Sequence, residues 1–303
     1  MNNKKRQRLD PAAVFLVIAA LAALGVVFWP DGRQPVVSGK PLAGATIFPL
    51  YDIVSHVAGD EVGVILLTPP GASPHTFEPR PSDLRKIKGA AVIYAIGHGL
   101  DNWVTEMAAA GGAAAVVVDR GIDILPARGE EAGSGGGDPH YWLDAANAAK
   151  IAATVADDLA RRYPASAGQL RRNLDGYLKE LAQADAAVRA KLSGLDNRDI
   201  VTLHDAWYYF ARAYGLTIAG SFEPTAGREP TPQYLAALQE AVRSSGVRTV
   251  YAEPQLSVMS LKPFAQDNGL AIVTIDPEGG LPGRDTYISL LLYNADIIRE
   301  NQR

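Results

Sequence analysis

From about residue 43 to the C-terminus, short apolar runs alternate with stretches that have helical periodicity. The apolar runs predict eight strands: GATIFPL, EVGVILL, AAVIYAIG and AAAVVV in the first half, then DIVTLH, LTIAGSF, RTVYAE and LAIVTID in the second. The predicted helices include YDIVSHVAG, PSDLRKIKG, residues 145–162, DAWYYFARAYG, PTPQYLAALQEAV and SVMSLKPFAQDNG. Such alternation is typical of the α/β class, in which helices flank mostly parallel sheets. We therefore expect two α/β lobes, over residues 43–163 and 195–303.

Residues 165–193 carry a long amphipathic pattern. Its apolar positions recur at helical spacings: Leu170, Leu174, Leu178, Leu181, Val188 and Leu192. A helix of that length would extend about 43 Å. Because it lies midway between the two halves, we predict a linking helix over residues 164–194 that spans both lobes rather than covering one sheet.

The N-terminus predicts the compartment of the lobes. Four basic residues among the first ten precede residues 11–30, which contain no charged side chain. Such a run is long enough to cross a bilayer as a helix, and the basic cluster is expected to stay in the cytoplasm. We predict an uncleaved membrane anchor over residues 1–30 and a tether over residues 31–42; a cleaved export signal is the second interpretation. Both place the lobes outside the cytoplasmic membrane, in the periplasm or at the cell surface.

Composition narrows the classes of function. Of the 303 residues, 48% are hydrophobic and 20% are charged, which suits packed cores. The formal net charge of −4 argues against a nucleic-acid-binding protein. The chain contains no cysteine, which excludes disulfides, thiolate metal sites and a lipid-modified cysteine. A transition-metal site must therefore use carboxylates and the five histidines, a donor set that suits zinc, manganese, iron, nickel or copper.

Four strand ends or loops carry a potential metal ligand. His75 follows the second predicted strand through the loop TPPGASPH. His140 lies in DPHYWLD, after a glycine-rich stretch at residues 127–138 that predicts a mobile surface loop. His204 ends DIVTLH, and Asp276 closes LAIVTID. Ligands of open α/β sheets bind at the carboxyl ends of strands, and each half supplies two of these residues, so we expect a site in the cleft between the lobes. Three imidazoles and one carboxylate form a four-coordinate shell that zinc accepts.

Each of these residues also has a plain structural interpretation. A histidine after a strand is often a capping or hydrogen-bonding residue, and Asp276-Pro277 is a common start of a turn. His98 also follows a predicted strand, and Glu253, at the end of RTVYAE, is the reserve carboxylate if Asp276 is not a ligand. His56 lies within a predicted helix and is interpreted as a surface or packed residue.

Five motifs, in order, resemble those of the zinc- and manganese-binding solute-binding proteins of ABC importers: PGASPHTFEPRPSD, DPHYWLD, LHDAWYYFARAYGL, AEPQ and TIDPEGG. The resemblance extends from about residue 44 to the C-terminus. It implies two α/β lobes joined by one long helix, with a metal in the interlobe cleft bound by His75, His140, His204 and Asp276. It also implies a binding protein, not an enzyme, that captures the metal and delivers it to the permease of the importer.

In the family that the chain resembles, a histidine at the third ligand position goes with zinc and a glutamate goes with manganese. His204 therefore favours zinc, with manganese as the alternative. The chain departs from the family pattern in two respects, because residues 127–138 contain no histidine and no cysteine is present for lipid attachment. Three other functions stay open: an extracytoplasmic zinc hydrolase, an adhesin or assembly module with a structural metal, and a binder of a metal chelate.

Overall fold

The computed structural model describes residues 39–128, 136–224 and 228–302. The predicted membrane anchor, most of the predicted tether and the centre of the glycine-rich stretch lie outside these ranges. Within the described ranges, no helix combines the length and the apolar character that crossing a membrane requires. Lys40–Arg303 form one compact unit, which contains both lobes.

The first lobe is built on a four-stranded parallel sheet. Its strands are β1 (Leu42–Ala45), β2 (Gly63–Leu66), β3 (Ala90–Ala95) and β4 (Ala114–Val117), in the order β2-β1-β3-β4. The connecting helices are α1 (Phe48–Ala58), α2 (Pro81–Lys86) and α3 (Trp103–Gly111). Because the strands are parallel, their carboxyl ends meet at one edge of the sheet.

The first predicted strand differs from the structure at its C-terminal end. β1 stops at Ala45, and the Phe-Pro-Leu end of GATIFPL forms the first turn of α1. Pro49 explains the difference, because its fixed φ suits a helix start and its missing N–H has no helical partner at that position. The other predicted strands of this lobe are confirmed within a few residues, whereas α3 was not predicted.

Two long helices follow the first sheet, α4 (Ala145–Arg162) and α5 (Ala167–Leu192). The Asp144 carboxylate caps α4 by accepting a hydrogen bond from the Ala146 N–H at 2.9 Å. α5 contains 26 residues and confirms the long helix between the lobes. Four of the predicted apolar positions are buried, namely Leu170, Leu181, Val188 and Leu192, whereas Leu174 and Leu178 are partly buried.

The second lobe repeats the strand order of the first. Its parallel strands are β5 (Asp199–His204), β6 (Thr217–Glu223), β7 (Thr249–Ala252) and β8 (Ala271–Thr274), in the order β6-β5-β7-β8. Its helices are α6 (Tyr208–Tyr214), α7 (Pro232–Ser245), α8 (Leu261–Asp267) and α9 (Tyr287–Asn301). Thr231 caps α7 as its sequence indicates, accepting a hydrogen bond from the Tyr234 N–H. α9 was not predicted.

The two lobes share one apolar core. α5 packs against α1 and α4 on one part of its surface and against α9 on another. One buried cluster accordingly includes Ile53 of α1, Leu181 of α5 and Leu291 of α9. Burying each such side chain stabilises the fold by about 1.5–3 kcal/mol. The shared core fixes the relative position of the two sheet edges at which the candidate ligands lie.

Candidate metal centre

The structure brings three of the four predicted ligands together. His75, His140 and His204 each offer one ligand nitrogen, and these atoms lie within 4.8 Å of one another. The Nε2 atoms of His75 and His140 are 3.1 Å apart. The ring centroid of His204 lies 5.0 Å from that of His75 and 4.9 Å from that of His140. Such a cluster of imidazole nitrogens is the size of a single metal-binding site.

Local structure explains why each histidine reaches this point. His75 lies in a short 3₁₀ turn, Pro74–Thr76, which begins with a proline after the loop that follows β2. His140 is the first residue of a second 3₁₀ turn, His140–Leu143, which precedes α4. His204 is the last residue of β5. All three positions therefore lie at the carboxyl ends of strands or at the start of a helix, as the sequence predicts.

Two carboxylates orient the histidine rings. Asp138 Oδ1 accepts hydrogen bonds from His140 Nδ1 at 2.9 Å and from the His140 backbone N–H at 3.0 Å. Glu253 Oε2 accepts from His204 Nδ1 at 3.0 Å, while its Oε1 accepts from Trp207 Nε1 at 2.8 Å. A neutral imidazole that donates through Nδ1 carries its lone pair on Nε2. These contacts therefore direct Nε2 of both rings to the cluster, in the way that outer carboxylates orient metal-binding histidines.

Burial keeps the histidines ready to bind a cation. It lowers the pKa of His75 well below the ordinary value, and the neighbouring His204 and His140 lower it further. The pKa of His140 is lowered for the same reasons, burial first and then His204. Burial also raises the pKa of Asp138 to about 6. Neutral imidazoles are the metal-binding form, so the two rings need not lose a proton at neutral pH.

Asp276 lies outside the three-histidine cluster. Its fully buried carboxylate follows β8, and Oδ1 accepts hydrogen bonds from Gln255 Nε2 at 2.8 Å and from the backbone N–H groups of Glu278 and Gly279 at 2.9 and 3.1 Å. Its Oδ2 lies 3.3 Å from Nε of Arg284. The role of Asp276 as the fourth ligand therefore stays a prediction.

The histidines line a small cavity between the two lobes. The cavity has a volume of about 10 Å³, and its walls also include Ser73, Pro74, Glu253, Gln255, Leu256, Pro277 and Glu278. Such a volume holds about one water-sized object. Sequence reasoning missed Glu278, although it stands two residues after Asp276. Burial raises the pKa of the Glu278 carboxyl well above its ordinary range, and the charges of Asp276 and Glu253 add to the effect.

The remaining candidates have other contacts. His98 Nε2 lies 3.0 Å from Asp119 Oδ2, away from the cluster. His56 stacks on the ring of Tyr177 with centroids 4.5 Å apart, which confirms a packed residue. Glu253, the reserve carboxylate, accepts a hydrogen bond from the predicted ligand His204 and so positions its ring.

Comparisons with known proteins identify the family to which the chain is similar. The family profile described as "ZnuA: Zinc-uptake complex component A periplasmic" matches residues 44–301. The manganese-binding lipoprotein MntA of Halalkalibacterium halodurans is 30% identical over 293 residues, which cover 93% of this chain and 95% of MntA. The zinc-binding protein AdcA of Streptococcus pyogenes is 24% identical over 312 residues, covering 93% of this chain and 61% of AdcA.

Solved structures share the fold. A zinc-bound deletion mutant of ZnuA aligns with a TM-score of 0.78 at 28% identity, covering 87% of this chain and 98% of that one. FpvC from Pseudomonas aeruginosa in complex with Mn²⁺ aligns with a TM-score of 0.75 at 25% identity, covering 87% of this chain and 98% of FpvC. The predicted class, two α/β lobes joined by a long helix, is thereby confirmed.

Proposed function

The chain belongs to the family of periplasmic zinc-uptake components, and from this membership we propose that it binds one zinc ion through His75, His140, His204 and Asp276. As a member of this family, the protein is an extracytoplasmic metal-binding component of an ABC metal importer. One observation supports the choice of site above all others, namely the three ligand nitrogens that lie within 4.8 Å of one another.

The donor set favours zinc over manganese. Imidazole nitrogens suit zinc, whereas carboxylate, carbonyl and water oxygens suit manganese. The third ligand position is a histidine, and Glu253 fixes its tautomer through Nδ1. Manganese is the alternative cargo, since both zinc-binding and manganese-binding proteins are among the relatives.

Asp276 is the proposed fourth ligand because of its position and because its Oδ2 makes no hydrogen bond with the residues that the structure describes. The two residues that follow it, Pro277 and Glu278, line the cavity with the histidines. Three N–H groups hold Oδ1, so Oδ2 is the oxygen that can turn towards a cation. Four side-chain ligands would fill a tetrahedral zinc shell.

The site supports capture and delivery rather than catalysis. A hydrolytic zinc centre keeps one coordination position for water or substrate, which four side-chain ligands would occupy. The cavity of about 10 Å³ holds about one water-sized object, which suits a single cation better than an organic substrate or a metal chelate. We propose that the loaded protein passes the cation to the permease of the importer, and that residues 11–30 attach it to the membrane.

Metal analysis and competition titration of the full chain test this proposal. We expect one zinc per chain and tighter binding of zinc than of manganese. His204→Glu replaces a nitrogen donor by an oxygen donor, and we expect it to move the preference towards manganese by roughly tenfold or more. His98→Ala, a histidine outside the cluster, is the matched control and should bind as the wild type does. A wild-type protein that binds neither metal would refute the proposal.

A further inference from the structure

Arg284 faces the predicted fourth ligand at close range. Its Nε atom lies 3.3 Å from Oδ2 of Asp276, whose side chain is fully buried, and the Arg284 side chain is only 14% exposed. Water screens such a pair weakly, so the two charges interact more strongly than an exposed pair would.

The contact engages the oxygen that metal binding needs. Asp276 Oδ1 already accepts three hydrogen bonds, whereas neither Asp276 Oδ2 nor Arg284 Nε makes an aligned hydrogen bond with any residue that the structure describes. The pair is therefore held by charge and not by a directional bond. A divalent cation that takes Asp276 as a ligand would compete with Arg284 for the same oxygen.

Arg284 is also held by contacts that do not involve Asp276. Its backbone closes a tight turn, in which the Gly280 N–H donates to the Arg284 carbonyl and the Arg284 N–H donates to the Leu281 carbonyl, both at 2.8 Å. The guanidinium lies over the ring of Tyr293, 4.6 Å from its centroid. A cation–π contact stabilises a guanidinium on an aromatic face. The side chain can thus leave the carboxylate while its backbone and its ring contact stay in place.

We propose that Arg284 is an internal competitor for the cation, pairing with Asp276 in the metal-free protein and releasing it when the metal binds. This inference rests on the proposed function, because it takes Asp276 as a ligand. Arg284 weakens the affinity for the cation and speeds its release, since its positive charge returns to the carboxylate as the metal leaves. A delivery protein needs such release at the permease.

Zinc binding by Arg284→Met in the full chain tests the inference. If pairing with Arg284 leaves about one molecule in ten competent to bind, its removal should lower the Kd for zinc about tenfold. Transfer of zinc to a chelator should slow by a similar factor. Arg284→Lys keeps the charge and should restore the wild-type Kd and rate. Arg299→Met is the matched control, because Arg299 pairs with Asp296 on the surface of α9.

Two further measurements can refute the inference: a double mutant and an NMR titration. In an Asp276→Asn background, Arg284→Met should change neither the Kd nor the rate, because the shared carboxylate charge is gone. The ¹⁵Nε–¹Hε NMR signal of Arg284, assigned by its loss in Arg284→Lys, should move when zinc is added to the wild-type protein. An unchanged signal, or an unchanged Kd in Arg284→Met, would overturn this inference alone. Failure of the wild-type protein to bind any metal would instead overturn the proposed function.

Discussion

Asp138 and Glu253 each act on a histidine and not on the metal itself. Both accept a hydrogen bond from Nδ1 of a predicted ligand, and both are almost fully buried. A buried carboxylate in this position fixes the ring and makes its other nitrogen more basic. We therefore expect the strength of the proposed site to depend on these two carboxylates as well as on the histidines.

Asp138→Asn tests this dependence. The amide keeps the size of the side chain but removes its charge, so His140 is less firmly oriented and less basic. We expect zinc affinity to fall about ten- to hundredfold, with the melting temperature of the metal-free protein nearly unchanged. Competition titration measures the affinity. Asp119→Asn removes the partner of His98 outside the cluster and should bind zinc as the wild type does. Wild-type affinity in Asp138→Asn would reject the orienting role.

At the scale of residues, sequence reasoning found the histidines but not their neighbours. His75, His140 and His204 are separated by 65 and 64 positions, and no local spacing predicts that they meet; the family motifs supplied that link. Arg284 lies outside these motifs, and Glu278, although it lies within TIDPEGG, was not singled out. Arg284 reaches Asp276 because a turn closes between Gly280 and Arg284, which is a property of the folded backbone.

At the scale of elements, the ion pair between His56 and Asp52 of α1 also contacts α5 and α9. His56 of α1 stacks on Tyr177 of α5, and its Nδ1 lies 3.4 Å from Oδ2 of Asp52. The same Oδ2 accepts a hydrogen bond from the Tyr287 N–H at the start of α9, at 2.9 Å. The hydrogen bond with Asp52 raises the pKa of His56 to about 9, against the lowering effect of burial. The charged form of His56 is thus favoured by the fold.

The raised pKa predicts how stability depends on pH. A group whose pKa is higher in the folded state contributes its stability in full below its unfolded value of about 6.5, and loses it as pH rises through about 9. His56→Gln should therefore destabilise the protein at pH of about 6 more than at pH of about 10. Denaturant unfolding at the two pH values measures the difference. His98→Gln controls for the loss of a histidine, and an equal loss of stability at both pH values would contradict the prediction.

The sequence predicted some helices and strands more accurately than others, depending on whether nearby residues decide where they begin and end. β5 and α4 were predicted with their observed bounds, because β5 ends at a helix-starting turn and α4 has a capping Asp144. α9 was missed even though its buried positions, from Tyr287 to Ile298, follow helical spacing. The predicted end of β1 was wrong because Pro49 starts a helix where the apolar pattern alone indicates a strand. Apolar pattern locates elements well, but proline and capping residues decide where they end.

At the scale of the whole molecule, contacts across the cleft couple the two lobes to the site. The Trp142 indole N–H, in the turn that carries His140, donates to the Pro277 carbonyl at 2.8 Å. The Tyr287 hydroxyl donates to the Trp142 carbonyl at 2.5 Å. These bonds and the shared core tie the first lobe to the loop that holds Asp276. Contacts within the protein therefore hold the walls of the cleft together.

This coupling predicts a single unfolding transition. Near-UV and far-UV circular dichroism of the metal-free full chain should report the same midpoint, because the lobes share a core. Zinc at a thousandfold excess over its Kd should raise the stability by about 4 kcal/mol without a new transition. His75→Ala should keep the single transition and lose most of the shift with zinc. Loss of one lobe on removal of zinc would instead support a purely structural metal.

The equal strand orders of the two sheets give the two lobes equivalent positions. Asp119 stands two residues after β4, and Asp276 stands two residues after β8, the strand with the same place in its sheet. One carboxylate pairs with His98 at 3.0 Å, and the other faces Arg284 beside the cleft. The fold therefore presents an acidic side chain at the same position of both sheets, and we expect the one in the second lobe to bind the cargo.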